Sequence, residues 1–140
     1  MGLFGRVFGG RQAGGRIVSF DVVTLHESGM RFVREYEMVM KEDRAEVSLY
    51  GIRSGGNDKQ RVLKKCAVCS RDAALSLLNG CGLLRWDGFS GPHPKGVRDG
   101  IMFTLNATVN EGKRIHASGS QNFPRHYRDF RDGLDRILDG

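Results

Sequence analysis

The sequence predicts an α+β domain: an antiparallel β-sheet of about six strands with two helices packed on one face. Residues 17–50 read as three strands joined by compact turns, and residues 101–118 read as a hairpin. Two further stretches, 73–78 and 124–138, each carry an apolar stripe at helical spacing.

The strands come first. Val18, Phe20 and Val22 alternate with Ser19, Asp21 and Val23, the period of a strand. Glu27-Ser28-Gly29 marks a turn. Phe32, Tyr36, Met38 and Met40 then share one face, with Arg34 as its exception, while Val33, Glu35, Glu37 and Val39 share the other. After a turn at Glu42-Asp43, Ala45, Val47 and Leu49 continue inward and Glu46, Ser48 and Tyr50 point out. This is a meander with one wet face. Ser54 to Asp58 reads as a loop, and Val62 to Cys69 as a fourth strand.

Ser70 suits a helix N-cap and Asp72 its first turn. Ala73, Ala74, Leu75, Leu77 and Leu78 then form a short helix, stopped by Gly80. Leu83, Leu84 and Trp86 follow, and then an irregular run from Asp87 to Arg98. Ile101, Phe103, Leu105, Ala107 and Val109 alternate with Met102, Thr104, Asn106 and Thr108, the clearest strand signal in the chain. Asn110-Glu111-Gly112 is a hairpin loop. Ile115 and Ala117 face inward, while Arg114, His116 and Ser118 face out. Pro124 suits the first position of a closing helix. Its buried stripe is Tyr127, Phe130, Leu134, Ile137 and Leu138. Arg125–Asp129, Arg128–Asp132 and Arg131–Asp135 are i,i+4 pairs that mark its solvated side.

The chain's 140 residues suit a flexible Gly-rich leader, 1–15, and a single α+β domain, 16–140. Such a domain buries enough surface to fold without disulfides or metals. Leu3, Phe4, Val7 and Phe8 fall at helical spacing beside Arg6 and Arg11. Residues 3–8 therefore suit, at most, weak contact with a membrane surface. Gly2, Gly5, Gly9 and Gly10 each weaken that helix by up to about 1 kcal/mol, which favours a disordered leader.

The net charge is +6 and the pI about 9.6. The basic residues are spread out with no dense block, which argues against a nucleic-acid partner. No stretch approaches the roughly 20 apolar residues of a membrane span, and no signal-peptide pattern is present. Met1-Gly2 opens like a myristoylation site, but Arg6 stands where Ser or Thr is needed. The expected compartment is cytoplasmic, with the three cysteines as reduced thiols.

No metal or cofactor is expected. Cys66-x-x-Cys69 with Cys81 lacks the fourth ligand of a structural zinc site. Residues 66 and 69 of one strand also point to opposite faces. Cys69 sits just before a helix cap, where a thiolate gains some stabilisation, but buried inert thiols are the better reading. His26, His93, His116 and His126 form no HxH or HxxxH pair. The run from Trp86 to His93 holds Asp87, Ser90 and His93 without the spacing of a nucleophile elbow. Ser118-Gly119-Ser120-Gln121-Asn122 runs from a strand toward a helix N-terminus, where free backbone N–H groups can receive an anion. Turn and capping chemistry accounts for the same residues.

From Trp86 through the last helix, the chain resembles an uncharacterised bacterial α+β domain family. In that family a Trp-x-Gly-Phe segment precedes an Asp-Gly-led strand, a Gly turn, a strand ending in Ser-Gly-Ser, an aromatic-Pro step and a closing helix. The matching residues are Trp86, Gly88, Phe89, Asp99, Gly100, Gly112, Ser118, Gly119, Ser120, Phe123 and Pro124. Members are often exported or lipid-anchored, and this chain departs from them in showing no export signal. The resemblance implies a fold and a candidate surface, and no activity.

The functional expectation is a non-catalytic binding or interaction domain. Its site would lie where the Trp86–Pro94 loop meets the Ser118–Asn122 turn, with Trp86, Phe89, Ser118, Ser120, Gln121 and Asn122 as contact residues. The partner would be a protein segment or a small anionic ligand. The alternatives are a hydrolase using Ser90 or Ser120 with a distant His, and an electrostatic binder of nucleic acid or a membrane surface.

Overall fold

The computed structural model describes residues 15–55, 58–96 and 100–140. Most of the leader, and with it the 3–8 stretch, lies outside the described residues. The elements run β1 (Phe20–Ser28), β2 (Val33–Lys41), β3 (Arg44–Gly55), β4 (Asp58–Ser70), α1 (Arg71–Gly80), a 3-10 turn (Leu83–Trp86), β5 (Ser90–Gly91), β6 (Met102–Val109), β7 (Lys113–Ser120) and α2 (Tyr127–Asp139). The sheet order is β4-β3-β2-β1-β6-β7-β5.

The α+β class and the two helices are as expected; the sheet differs. Among the described residues it has seven strands and is mixed, because the two-residue β5 pairs in parallel with β7. A strand this short has no period to detect. It is held by the backbone: Gly88 N donates to His116 O (2.9 Å), and Ser118 N to Phe89 O (3.0 Å). The expected loop at 54–58 shrinks too, since β3 and β4 pair all the way to Gly55 and Asp58.

The first strand changes phase partway along. The pairing with β6 slips between Phe20 and Val22, so Asp21 is a bulge. Val18 is exposed and Val23 buried, and from there Val23, Leu25 and Glu27 face the core. The inner face continues with Tyr36 and Met38, Ala45 and Val47, Phe103 through Val109 at every second residue, and Ile115 and Ala117. Against it lie Ala74 and Leu78 of α1, and Tyr127, Phe130 and Leu134 of α2, in one continuous core. Each large side chain buried there contributes roughly 1.5–3 kcal/mol.

One helix end also differs from expectation. Ser70 caps α1 as expected, its hydroxyl accepting from Ala73 N at 3.0 Å. The last residue of α1 is Gly80, where the stop was expected; Cys81 is the C-cap, and Gly82, in the left-handed conformation (φ 67°), turns the chain into the 3-10 turn. Pro124, however, does not start α2. His126, at φ 69°, breaks the helical path, and α2 begins at Tyr127. No helix among the described residues is long and apolar enough to cross a membrane.

Candidate functional site

The 3-10 turn aims Trp86 inward, where it is 2% exposed. Its ring stacks on Tyr127 (centroids 5.8 Å) and meets Phe130 edge-on (5.5 Å). Its indole N–H donates to Arg125 O at 3.1 Å. Phe89 is partly buried and lies 6.1 Å from Phe103, which continues the aromatic row to Phe123 (5.6 Å) and Tyr127 (4.9 Å). Trp86 is therefore buried in the aromatic row. Tryptophan after a helix reads equally as core or surface in the sequence.

The Trp86–Pro94 loop and the Ser118–Asn122 turn do meet. Ser90 pairs with Ser118, and Gly91 with Gly119. Their polar groups are largely turned on one another. Ser120 Oγ lies 2.8 Å from His93 Nδ1. Gln121 N donates to Ile101 O (2.8 Å), and Gln121 Oε1 accepts from Ile101 N (2.8 Å). The Asn122 amide donates to Pro92 O. Residues 123–126 separate this turn from α2, so it does not sit on a helix N-terminus.

Two clefts open beside this junction. The larger, about 500 Å³, is lined by Ile101, Gln121, Phe123, Pro124, His126, Tyr127, Arg128, Asp129 and Arg131. The smaller, about 200 Å³, is lined by Trp86, Phe89, Phe123, Pro124, Arg85 and Arg125, among others. Phe123 and Pro124 form a wall common to both. The one acid among these lining residues, Asp129, is already engaged with His126 Nδ1 at 3.0 Å. Among the predicted contact residues, Trp86, Phe89 and Gln121 line these clefts, whereas Ser118, Ser120 and Asn122 line neither.

A buried charged cluster lies behind the larger cleft. Glu27 is fully buried; its carboxylate accepts from Arg34 Nε (2.8 Å) and from the Tyr127 hydroxyl, with Arg131 Nη1 3.8 Å away. Burial, and donation to Glu27, push the Tyr127 phenol far above its ordinary value. Burial and a hydrogen bond to Asp135 (2.8 Å) do the same for Tyr36. Burial alone would lower Arg34, but the hydrogen bond and charge of Glu27 outweigh it and hold its guanidinium above the usual value. The sequence carried a signal for this cluster. Arg34 interrupts the apolar face of its strand, and the partner of such an exception belongs on a neighbouring strand. The bulge at Asp21 hid that Glu27 is that partner.

Cys66 points outward beside Ser48, its Sγ accepting from the Ser48 hydroxyl at 3.7 Å, and Cys69 faces inward opposite Ala45. Burial pushes the Cys69 and Cys81 thiols up, which disfavours the reactive thiolate. Among the described residues, no group of three or more His, Cys, Asp or Glu is placed to hold a metal ion. No protein-family model matches this chain, and comparison with curated proteins gives no match.

Proposed function

We propose that this protein is a non-catalytic binding domain whose ligand is a small anion with an apolar body, held beside the Trp86–Pro94 loop and the Ser118–Asn122 turn. The observation that supports this most is the 500 Å³ cleft, which Phe123, Tyr127, Arg128 and Arg131 line together; Arg131 lies 3.8 Å from Glu27, so Arg128 is the cation offered to a ligand. Aromatic walls exclude water, and a guanidinium offers a fork that matches a carboxylate or phosphate. Trp86 and Phe89 serve this site from behind, by bracing Tyr127 and the Phe123 wall. Gln121 closes one side, fixed by its bonds to Ile101.

The experiment is a titration with aryl carboxylates and aryl phosphates, alongside their neutral amides, read by backbone NMR shifts. The anions should move the amides of residues 121–131, and Arg128→Glu should abolish the effect. Equal shifts from neutral compounds, or shifts elsewhere only, would refute the reading.

One contact favours a hydrolytic reading as the second choice: His93 Nδ1 lies 2.8 Å from Ser120 Oγ. A base within hydrogen-bond reach is the first requirement for an activated serine. Labelling of the native protein, but not of Ser120→Ala, by a fluorophosphonate probe would establish it. Absence of labelling would end it.

A further inference from the structure

We infer that the open edge of β4 is a docking strand for an acidic, extended segment of a protein partner, which would join the sheet as an added strand. The two edges of this sheet are treated differently. On the β7 side, Asp87 Oδ1 accepts from His116 N (3.0 Å), Gly88 and Phe89 bond His116 and Ser118, and β5 covers Ser118 and Gly119. On the other side β4 is the terminal strand, and among the described residues no strand pairs with its outer edge. It is 13 residues long, more than twice the usual strand of about 5–6 residues. Natural sheets shorten or cover such edges, because a row of unpaired N–H and C=O groups is a template for another strand.

The side chains say which strand it accepts. β4 carries Lys59, Arg61, Lys64 and Lys65 against one acid, Asp58; Arg61 already pairs with Glu35 and Glu37, and Lys65 with Asp139, so Lys59 and Lys64 are the cations left to draw an acidic strand. Leu63 and Val68, each 55% exposed, give it two apolar footholds. A second copy of the chain would set these cations against their equivalents, and like charges on facing strands are destabilising. An acidic strand meets the opposite situation. The bulge at Lys64, where the pairing steps from Lys65 to Leu63 against Leu49 and Tyr50, divides the edge into two regular runs of about peptide length. Basic side chains and a bulge reject indiscriminate pairing. They leave the edge open to a partner of opposite charge, and electrostatic attraction sets its approach.

The test uses the full chain and a blocked eight-residue peptide of alternating Val and Glu, with a Val/Lys peptide as control. Hydrogen exchange and amide shifts locate the contact. The acidic peptide should slow exchange along β4, and Lys59→Glu/Lys64→Glu should weaken its binding at least tenfold while circular dichroism stays unchanged. Arg128→Glu should leave it intact, which separates this surface from the α2 cleft. Four results would overturn the inference: no binding at millimolar peptide, equal binding of the Val/Lys peptide, shifts confined to the α2 cleft, or self-association of the chain through β4.

Discussion

Glu27 and Arg34 are direct partners across the β1–β2 ladder, and both are aimed into the apolar side of the sheet. Each alone would be an uncompensated charge beneath α2. Together with the Tyr127 hydroxyl and the more distant Arg131, they form a polar island in which Glu27 is fully buried and Arg34 still reaches solvent. Such an island adds little net stability, because desolvation offsets most of the attraction. It does fix geometry: a one-residue slip of β1 against β2 would part the pair and turn it toward solvent.

Glu27→Ala is therefore expected to cost about 1–3 kcal/mol, since it leaves the buried Tyr127 hydroxyl without its acceptor while Arg34 can turn to water. Replacing both ions, Glu27→Leu with Arg34→Leu, should cost less than that single change. Urea denaturation midpoints check both. An unaltered midpoint for Glu27→Ala would show that Tyr127 does not depend on Glu27 as its acceptor.

Alkali should unfold this protein through its phenols. Tyr36 and Tyr127 are both raised in the folded state, by burial and by donation to Asp135 and Glu27. A group raised on folding stabilises fully below its unfolded pKa, about 10 for tyrosine, and that stabilisation is lost as pH climbs past it. Stability should thus stay level on account of these groups up to about pH 10 and fall above it. In Tyr127→Phe the fall should be shallower, starting from a protein about 1–3 kcal/mol weaker. Thermal melts between pH 8 and 12, followed with tyrosinate absorbance, report both effects.

Trp86 tests whether the aromatic row is structural. Trp86→Ala removes a ring stacked on Tyr127 and edge-on to Phe130 and should cost about 3–5 kcal/mol. Trp86→Phe keeps an aromatic there and should lose less, chiefly the bond to Arg125 O and some volume. A Trp86→Ala protein that melts like the parent would return Trp86 to the surface.

The parts legible in the sequence were those whose period is unbroken. Phe103 through Val109 shows strict alternation, and β6 follows it residue for residue. Tyr127, Phe130 and Leu134 marked the buried stripe of α2 in the same way. What stayed hidden was set by single backbone events. A bulge at Asp21 reversed the phase of β1, a left-handed His126 delayed α2 past Pro124, and two residues of β5 paired in parallel. None of these alters composition or spacing. The meeting of the Trp86–Pro94 loop with the Ser118–Asn122 turn was legible as a cluster of turn residues. That their polar groups are occupied with each other depends on side-chain directions, which no residue spacing encodes.

Gly119 shows what the Ser-Gly-Ser step is for. A Cβ placed there would lie 2.2 Å from Asn122 O and 2.7 Å from a Phe103 ring carbon. The first clash is with backbone, so the turn itself would have to move. Gly119→Ala should therefore cost about 1–3 kcal/mol, concentrated where β5 docks on β7. Ser120→Ala, one residue on, removes a hydroxyl whose partner is exposed and should stay within about 0.5 kcal/mol. Hydrogen exchange at Phe89 to Gly91 and at Ser118 distinguishes them. Those amides should open in Gly119→Ala and stay protected in Ser120→Ala. Equal behaviour of the two variants would mean that the glycine is not what lets the turn close against Asn122.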